Sequence, residues 1–289
     1  MKGNRILQWS VKIASRYGLL KRFCRTLAIH VFPEEVETRI GSSRFLFRPK
    51  IDGFWYLNYS DAEPGVEKVL RENLSIGDTF VDIGAYIGFY SILARNIVGD
   101  SGKVIAFEPN PESYEMLKKN FELNGYKNCI AENIALFDED GFFSLFTAKR
   151  GISSSSLFKV EGIHSGQHFT VKATTFDKYC KNHDIVPNLV KIDVEGAEYN
   201  VLLGAQEVIS LYRPKLLIEI HPQHLETAGH SLQEFFGFLE QQGYRILLIS
   251  GSDVNKISTT ELVRLCKVGM KNRYGGETSP HILCLQSSM

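Results

Sequence analysis

From Thr79 onward, short continuous apolar runs alternate with stretches in which apolar residues recur every three or four positions. The first kind reads as a strand buried on both faces, the second as a helix with one apolar stripe. Strands are predicted at TFVDI (79–83), KVIAFE (103–108), NCIAENIAL (128–136), LVKIDV (189–194), PKLLIEIH (214–221), YRILLIS (244–250) and HILCLQ (281–286). Helices are predicted at FYSILARNIV (89–98), PESYEMLKKNFELNG (111–125), EYNVLLGAQEVIS (198–210) and SLQEFFGFLEQQG (231–243). Pro111 and Gly125 sit where a helix start and a helix stop favour them. Such alternation predicts a parallel sheet covered on both faces through right-handed crossovers. GFFSLFTA (141–148) and HFTVKATTF (168–176) read as antiparallel excursions from it. Between them, residues 149–168 are rich in Ser and Gly without any period, the pattern either of a surface loop or of a lid over a substrate.

Upstream, TRIGSSRFLFRPKI (38–51) alternates around Gly41-Ser42-Ser43 and predicts a hairpin, and EPGVEKVLRENL (63–74) predicts a short helix with Pro64 near its start. Residues 1–33 contain Lys2, Arg5, Lys12, Arg16, Lys21, Arg22 and Arg25 with no acid, while Ile6, Trp9, Ile13, Tyr17, Leu20 and Phe23 recur at helical steps. This basic amphipathic helix either docks on its own domain or makes peripheral contact with an anionic membrane surface. The chain therefore divides into an N-terminal helical arm and hairpin (1–60) and an α/β domain (61–289).

Composition changes this picture little. Of 289 residues, 44% are hydrophobic and 23% charged, ordinary for a globular protein. Lys+Arg and Asp+Glu each total 33, so bulk charge offers no case for a nucleic-acid partner. Cys24, Cys129, Cys180, Cys266 and Cys284 never form a CxxC pair and read as idle thiols in a reducing compartment. No apolar run reaches the ~18–20 residues of a membrane span, and Lys12 and Arg16 interrupt the first apolar stretch, so no signal peptide is expected. The expected compartment is the cytoplasm.

In open α/β sheets ligands bind at the carboxyl ends of the strands. The first strand runs into Asp82-Ile83-Gly84-Ala85-Tyr86-Ile87-Gly88 and the second into Glu108-Pro109-Asn110. Gly84 and Gly88 are expected to let the backbone approach a ligand, and Glu108 to accept ribose hydroxyls. A dinucleotide loop wants GxGxxG facing a pyrophosphate. Here Tyr86 replaces the middle glycine, and Asp82 would repel a pyrophosphate but suit the ammonium end of S-adenosylmethionine, which also carries a sulfonium. The charge logic favours the methyl donor over NAD.

VDIGAYIGFYSILA, VIAFEPNPESYEMLKKN, ENIAL, LVKIDVEGAEYNVLLGA and LLIEIHP, in that order, resemble the FkbM family of S-adenosylmethionine-dependent methyltransferases over about half the chain. The resemblance implies a class I methyltransferase fold: a seven-stranded, mostly parallel, Rossmann-like sheet whose last strand is antiparallel and inserted between the fifth and sixth. It implies O-methylation of a sugar, glycan or other natural-product hydroxyl. It makes Asp82, Gly84 and Gly88 the glycine-loop motif and Glu108 the ribose acid, and has Asn133 and the residues after it line the adenine. With Ala85, Tyr86 and Asn110 these are the candidate cofactor-binding residues. The commonest family form is GANIG, and Tyr86 departs from it.

Methylating an alcohol needs alignment and a base. Asp193 and Glu195 after the fourth strand, and Glu219 and His221 on the fifth, should share the rim of the glycine loop and are the candidate catalytic residues; Glu198 follows in the first helical turn. Capping or a salt bridge is the alternative role for each. The same four could hold a divalent ion orienting a diol. Glu63 either caps its helix or approaches the substrate from above. The rival functions are an NAD-type oxidoreductase and a catalytically silent methyltransferase-like binding module.

Overall fold

The computed structural model describes residues 33–52, 56, 63–148, 155–268, 270–271 and 277–286. The amphipathic arm lies outside them, as do residues 149–154 of the Ser/Gly-rich stretch.

Strand β1 (Val36–Ile40) and strand β2 (Ser43–Phe47) form the expected hairpin, turning at Gly41 with φ 59°. A short helical turn, Pro49–Asp52, and the helix Pro64–Asn73 lead into β3 (Thr79–Ile83), and then come helix Phe89–Val98, β4 (Lys103–Phe107), helix Pro111–Leu123 and β5 (Cys129–Glu132). The third predicted run splits at Asn133-Ile134, because its second half, β6 (Ala135–Leu136), leaves the main sheet to pair with β8 (His164–Thr174), itself antiparallel to β7 (Gly141–Ala148). β8 begins at His164, so the last residues of the Ser/Gly-rich stretch are strand.

Helix Phe176–His183 precedes β9 (Leu189–Ile192). The predicted helix after β9 is two, Glu198–Leu203 and Gln206–Tyr212, broken at Gly204, where a Cβ would stand 2.0 Å from the Phe137 carbonyl oxygen. β10 (Lys215–Glu219), helices Pro222–Thr227 and Leu232–Gln241, β11 (Tyr244–Ser250), β12 (Asp253–Lys256), helix Thr259–Val268, a small β13–β14 pair (Met270–Lys271, Glu277–Thr278) and β15 (His281–Gln286) complete the chain.

The main sheet has the order β12-β11-β15-β10-β9-β3-β4-β5. β5, β4, β3, β9 and β10 are parallel, and β15 runs antiparallel between β10 and β11 as the class I architecture demands. The expected count of seven is corrected to eight, because β11 turns back at Gly251 and pairs with β12 at the sheet edge.

Alternate strand residues feed two cores. Val81, Ile105, Val190 and Ile218 face the helices after β8 through β10, whereas Phe80, Val104, Leu189 and Leu217 face the helices before β3, after β3 and after β4. The hairpin belongs to the second core: Ile40, Phe45 and Phe47 are fully buried beside Ile87, Phe89 and Ile92.

Candidate active site

Register creates the site. Ile83 pairs with Phe107 on one side and Ile192 on the other, and Ile192 pairs with Ile218. Four strands thus end level, and the next residues, Gly84, Glu108, Asp193 and Glu219, line one rim. A cavity of about 200 Å³ opens there. Its apolar wall includes Phe107, Ile134, Ala135 and Leu136, while Leu145, Ser155 and Leu157 from the antiparallel excursion and Asp52 and Tyr56 from beyond the hairpin border it on other sides.

Of the sequence-selected residues, Gly84, Ala85, Tyr86, Glu108, Asp193, Glu195 and Glu219 line the cavity. Glu108 Oε2 accepts from the Tyr86 amide and Oε1 from the Asn110 amide, both at 2.8 Å, leaving lone pairs toward the cavity. Burial pushes its carboxyl up to about 7.

Asp82 does not line the cavity. It is 1% exposed and lies opposite Lys191 in the β3–β9 register, with Ser91 Oγ donating to it at 2.6 Å and Lys191 Nζ 3.8 Å away. Its charge holds a buried lysine under helix Phe89–Val98 instead of facing a ligand. Gly88 also lies off the cavity. A Cβ there would stand 2.5 Å from Leu117, and one on Gly84 only 1.8 Å from the Asp193 carbonyl oxygen. Both glycines have φ above 80° or at it (80° and 87°), so packing and backbone conformation already require them. Asn110 is the N-cap of Pro111–Leu123, accepting from Glu112 N at 3.0 Å. Asn133 donates to the Glu108 and Pro109 carbonyls, and the residues after it form the apolar wall. His221 sits behind the cavity lining.

Tyr86 explains its departure from the family form. Its φ is 51°, a region asparagine tolerates and tyrosine rarely adopts. Its hydroxyl donates at 2.5 Å to the buried carboxylate of Asp52, which Arg48 also holds.

Lys191, which sequence reading passed over as a strand residue, is the sole basic side chain among the described residues lining the cavity, against six carboxylates. Its Nζ lies 3.0 Å from Asp193 Oδ2. Burial would lower its pKa, but Asp193, Asp82 and Glu219 raise it above the ordinary lysine range. Burial raises Asp193 to about 7 despite Lys191. Burial also opposes ionisation of Glu219, yet His281, His221 and Lys191 hold its carboxyl well below the usual range.

Behind the rim, carboxylates alternate with imidazoles. His221 Nδ1 is 2.8 Å from Glu198 Oε1, and His221 Nε2 is 3.4 Å from Glu195 and 3.7 Å from Glu219. Glu198 is fully buried and also accepts from the Gly196 amide, so it positions His221. Burial disfavours charge on His221, but Glu195, Glu198 and Glu219 raise its pKa well above the ordinary histidine value. Pro222 opens a short helix here, with His221 as N-cap and His224 stacked on it at 5.7 Å. Glu63 lines the cavity without capping its helix. His281 also joins the rim, 3.2 Å from Glu219. No sequence signal marked it, since only the β10–β15 pairing brings it there. Two sets, Asp193/Glu219/His221 and Glu63/Glu219/His281, bring ligand atoms within 4.8 Å of one another.

The sheet order, the level strand ends and the acidic cavity beside a glycine loop are those of a class I, Rossmann-like methyltransferase. A family model for the FkbM methyltransferase domain matches residues 82–246, and the chain belongs to that family of S-adenosylmethionine-dependent methyltransferases. The hexuronic acid methyltransferase AglP of Haloferax volcanii is 26% identical over 172 residues, 59% of this chain and 67% of that protein. Methyltransferase 1 of Beauveria bassiana is 26% identical over 149 residues, 45% of this chain and 59% of its own length. Among solved structures, the FkbM methyltransferase of Methylobacillus flagellatus has 17% identity and a TM-score of 0.45, covering 73% of this chain and 44% of that one.

Proposed function

We propose that this methyltransferase acts on a hydroxyl oxygen of a sugar, glycan or comparable polyol, with S-adenosylmethionine as donor. The supporting observation is the cavity itself, where Asp193, Glu195 and Glu219 converge on the rim between the glycine loop and Glu108. Six carboxylates against one lysine suit a ligand with an ammonium and a sulfonium. The AglP relative is described as acting on a hexuronic acid, which is in keeping with a sugar acceptor.

When bound, S-adenosylmethionine supplies a methyl group on a positively charged sulfur, an electrophile that needs an aligned nucleophile. Glu108 is placed to accept the ribose hydroxyls, the backbone of Ala85 and Tyr86 to border the donor, and Ile134 and Ala135 to cover the adenine. Asp193 is the base: it faces the cavity, and a carboxylate titrating near neutrality is matched to taking a proton from an alcohol as the oxygen attacks. Lys191 holds Asp193 Oδ2 and leaves Oδ1 for the acceptor.

The test is transfer from methyl-labelled S-adenosylmethionine to a panel of neutral sugars, uronic acids and amines, with product linkage read by NMR. Methyl ethers, lost in Asp193→Asn and with cofactor binding weakened in Glu108→Ala, support the reading. N-methyl products alone, or turnover unchanged in Asp193→Asn, would refute it.

A further inference from the structure

Glu63 occupies an N-cap position but makes no side-chain capping bond. Its carboxylate borders the cavity and accepts from the Tyr90 hydroxyl. Glu219 ends β10, and His281 opens β15 directly opposite it in register. His281 Nε2 lies 3.2 Å from Glu219 Oε2 and 3.9 Å from Glu63 Oε2. That nitrogen is buried and lies in ion pairs with both carboxylates, without a well-aligned hydrogen bond to either. An imidazole nitrogen and two carboxylates drawn together in this way have the arrangement of ligand atoms converging on a common point. Metal–ligand distances of about 2.0–2.6 Å place ligand atoms up to roughly 4–5 Å apart across an ion, and these three lie within 4.8 Å of one another.

We propose that Glu63, Glu219 and His281 form a site for a divalent cation at the mouth of the cavity. The overlapping set Asp193/Glu219/His221 is the weaker candidate, because Lys191 Nζ already stands 3.0 Å from Asp193. Two carboxylates with one imidazole suit a first-row divalent ion such as Mn2+. Tyr90, bonded to Glu63, supplies the outer support that orients a ligating carboxylate. Glu63 and Glu219 both line the cavity, so the open coordination positions face the acceptor. Resting on the hydroxyl-methylation reading, those positions suit two neighbouring hydroxyls, which the ion would fix relative to Asp193.

The experiment uses the full chain, stripped with chelator and titrated with Mn2+, with free Mn2+ followed by electron paramagnetic resonance and nitrogen coupling of the bound ion by electron spin echo modulation. The expected result is a single site with directly bound nitrogen, weakened about tenfold or more in Glu63→Gln and in His281→Gln and far less in Asp193→Asn. No binding at millimolar Mn2+, bound Mn2+ without nitrogen coupling, or a site lost in Asp193→Asn but kept in His281→Gln would overturn the proposal. The unmutated chain supplies the first two outcomes, so a variant that fails to fold leaves the test intact. Neither readout uses methyl transfer, so this site and the hydroxyl reading can fail separately.

Discussion

Glu108 shows how one side chain couples burial to chemistry. Desolvation raises its carboxyl to about 7. A carboxyl with a folded pKa above its unfolded value binds protons more readily when folded, so stability falls as pH rises from the ordinary carboxylate range through about 7. Melting curves across pH 5 to 8 should therefore fall less steeply for Glu108→Gln than for the unmutated chain. Equal slopes would mean that the carboxyl titrates normally. Asp193 contributes in the same direction and window, and the variant isolates the Glu108 part.

Elements carry their own signals, and some residues serve the element before the ligand. Asn110, read from sequence as a cofactor residue, caps Pro111–Leu123 and is fully buried. Asn110→Ala should cost about 0.5–2 kcal/mol of stability, measurable by denaturant titration. A loss of cofactor affinity with unchanged stability would restore the ligand role. Gly237 lies inside helix Leu232–Gln241, and a Cβ there meets nothing within 4 Å. Gly237→Ala should stabilise by about 0.5–1 kcal/mol, since the helix loses less backbone entropy on folding; a lower melting temperature would contradict the open space seen. Helix boundaries were legible where start and stop residues agreed with the period, as at Pro111–Leu123. They were not where tertiary contact intervened: the break falls at Gly204, where the backbone passes too close to the Phe137 carbonyl for any side chain.

Across the whole molecule, the hairpin and the sheet fold as one core. Phe45 is fully buried against Tyr56 and Phe89, at ring distances of 5.1 and 5.8 Å. Phe45→Ala should cost about 3–5 kcal/mol in one cooperative transition; a separate early transition would make the hairpin independent. No helix among the described residues is long and apolar enough to cross a membrane. The basic, amphipathic character of residues 1–33 leads us to propose peripheral contact with anionic lipid, and a chain lacking them should bind phosphatidylserine liposomes less well. Equal binding would end that proposal.

By itself the sequence determined what is local or periodic. Apolar runs named most strands of the main sheet, though not β12, three- and four-residue steps named most helices, and the order of Gly84, Glu108, Asp193 and Glu219 along the chain placed the rim, because successive parallel strands must end on one side. What depends on register and approach belonged to the tertiary structure alone. Pairing of Asp82 with Lys191 turned an expected ligand acid into a buried counterion, and antiparallel insertion of β15 brought His281 beside Glu219. Glu63 reaches the same point from a helix start 156 residues away from Glu219 in sequence, and no local pattern encodes a meeting between residues so far apart. Side-chain chemistry is written in the chain, but which charges meet is fixed only when strands choose their neighbours.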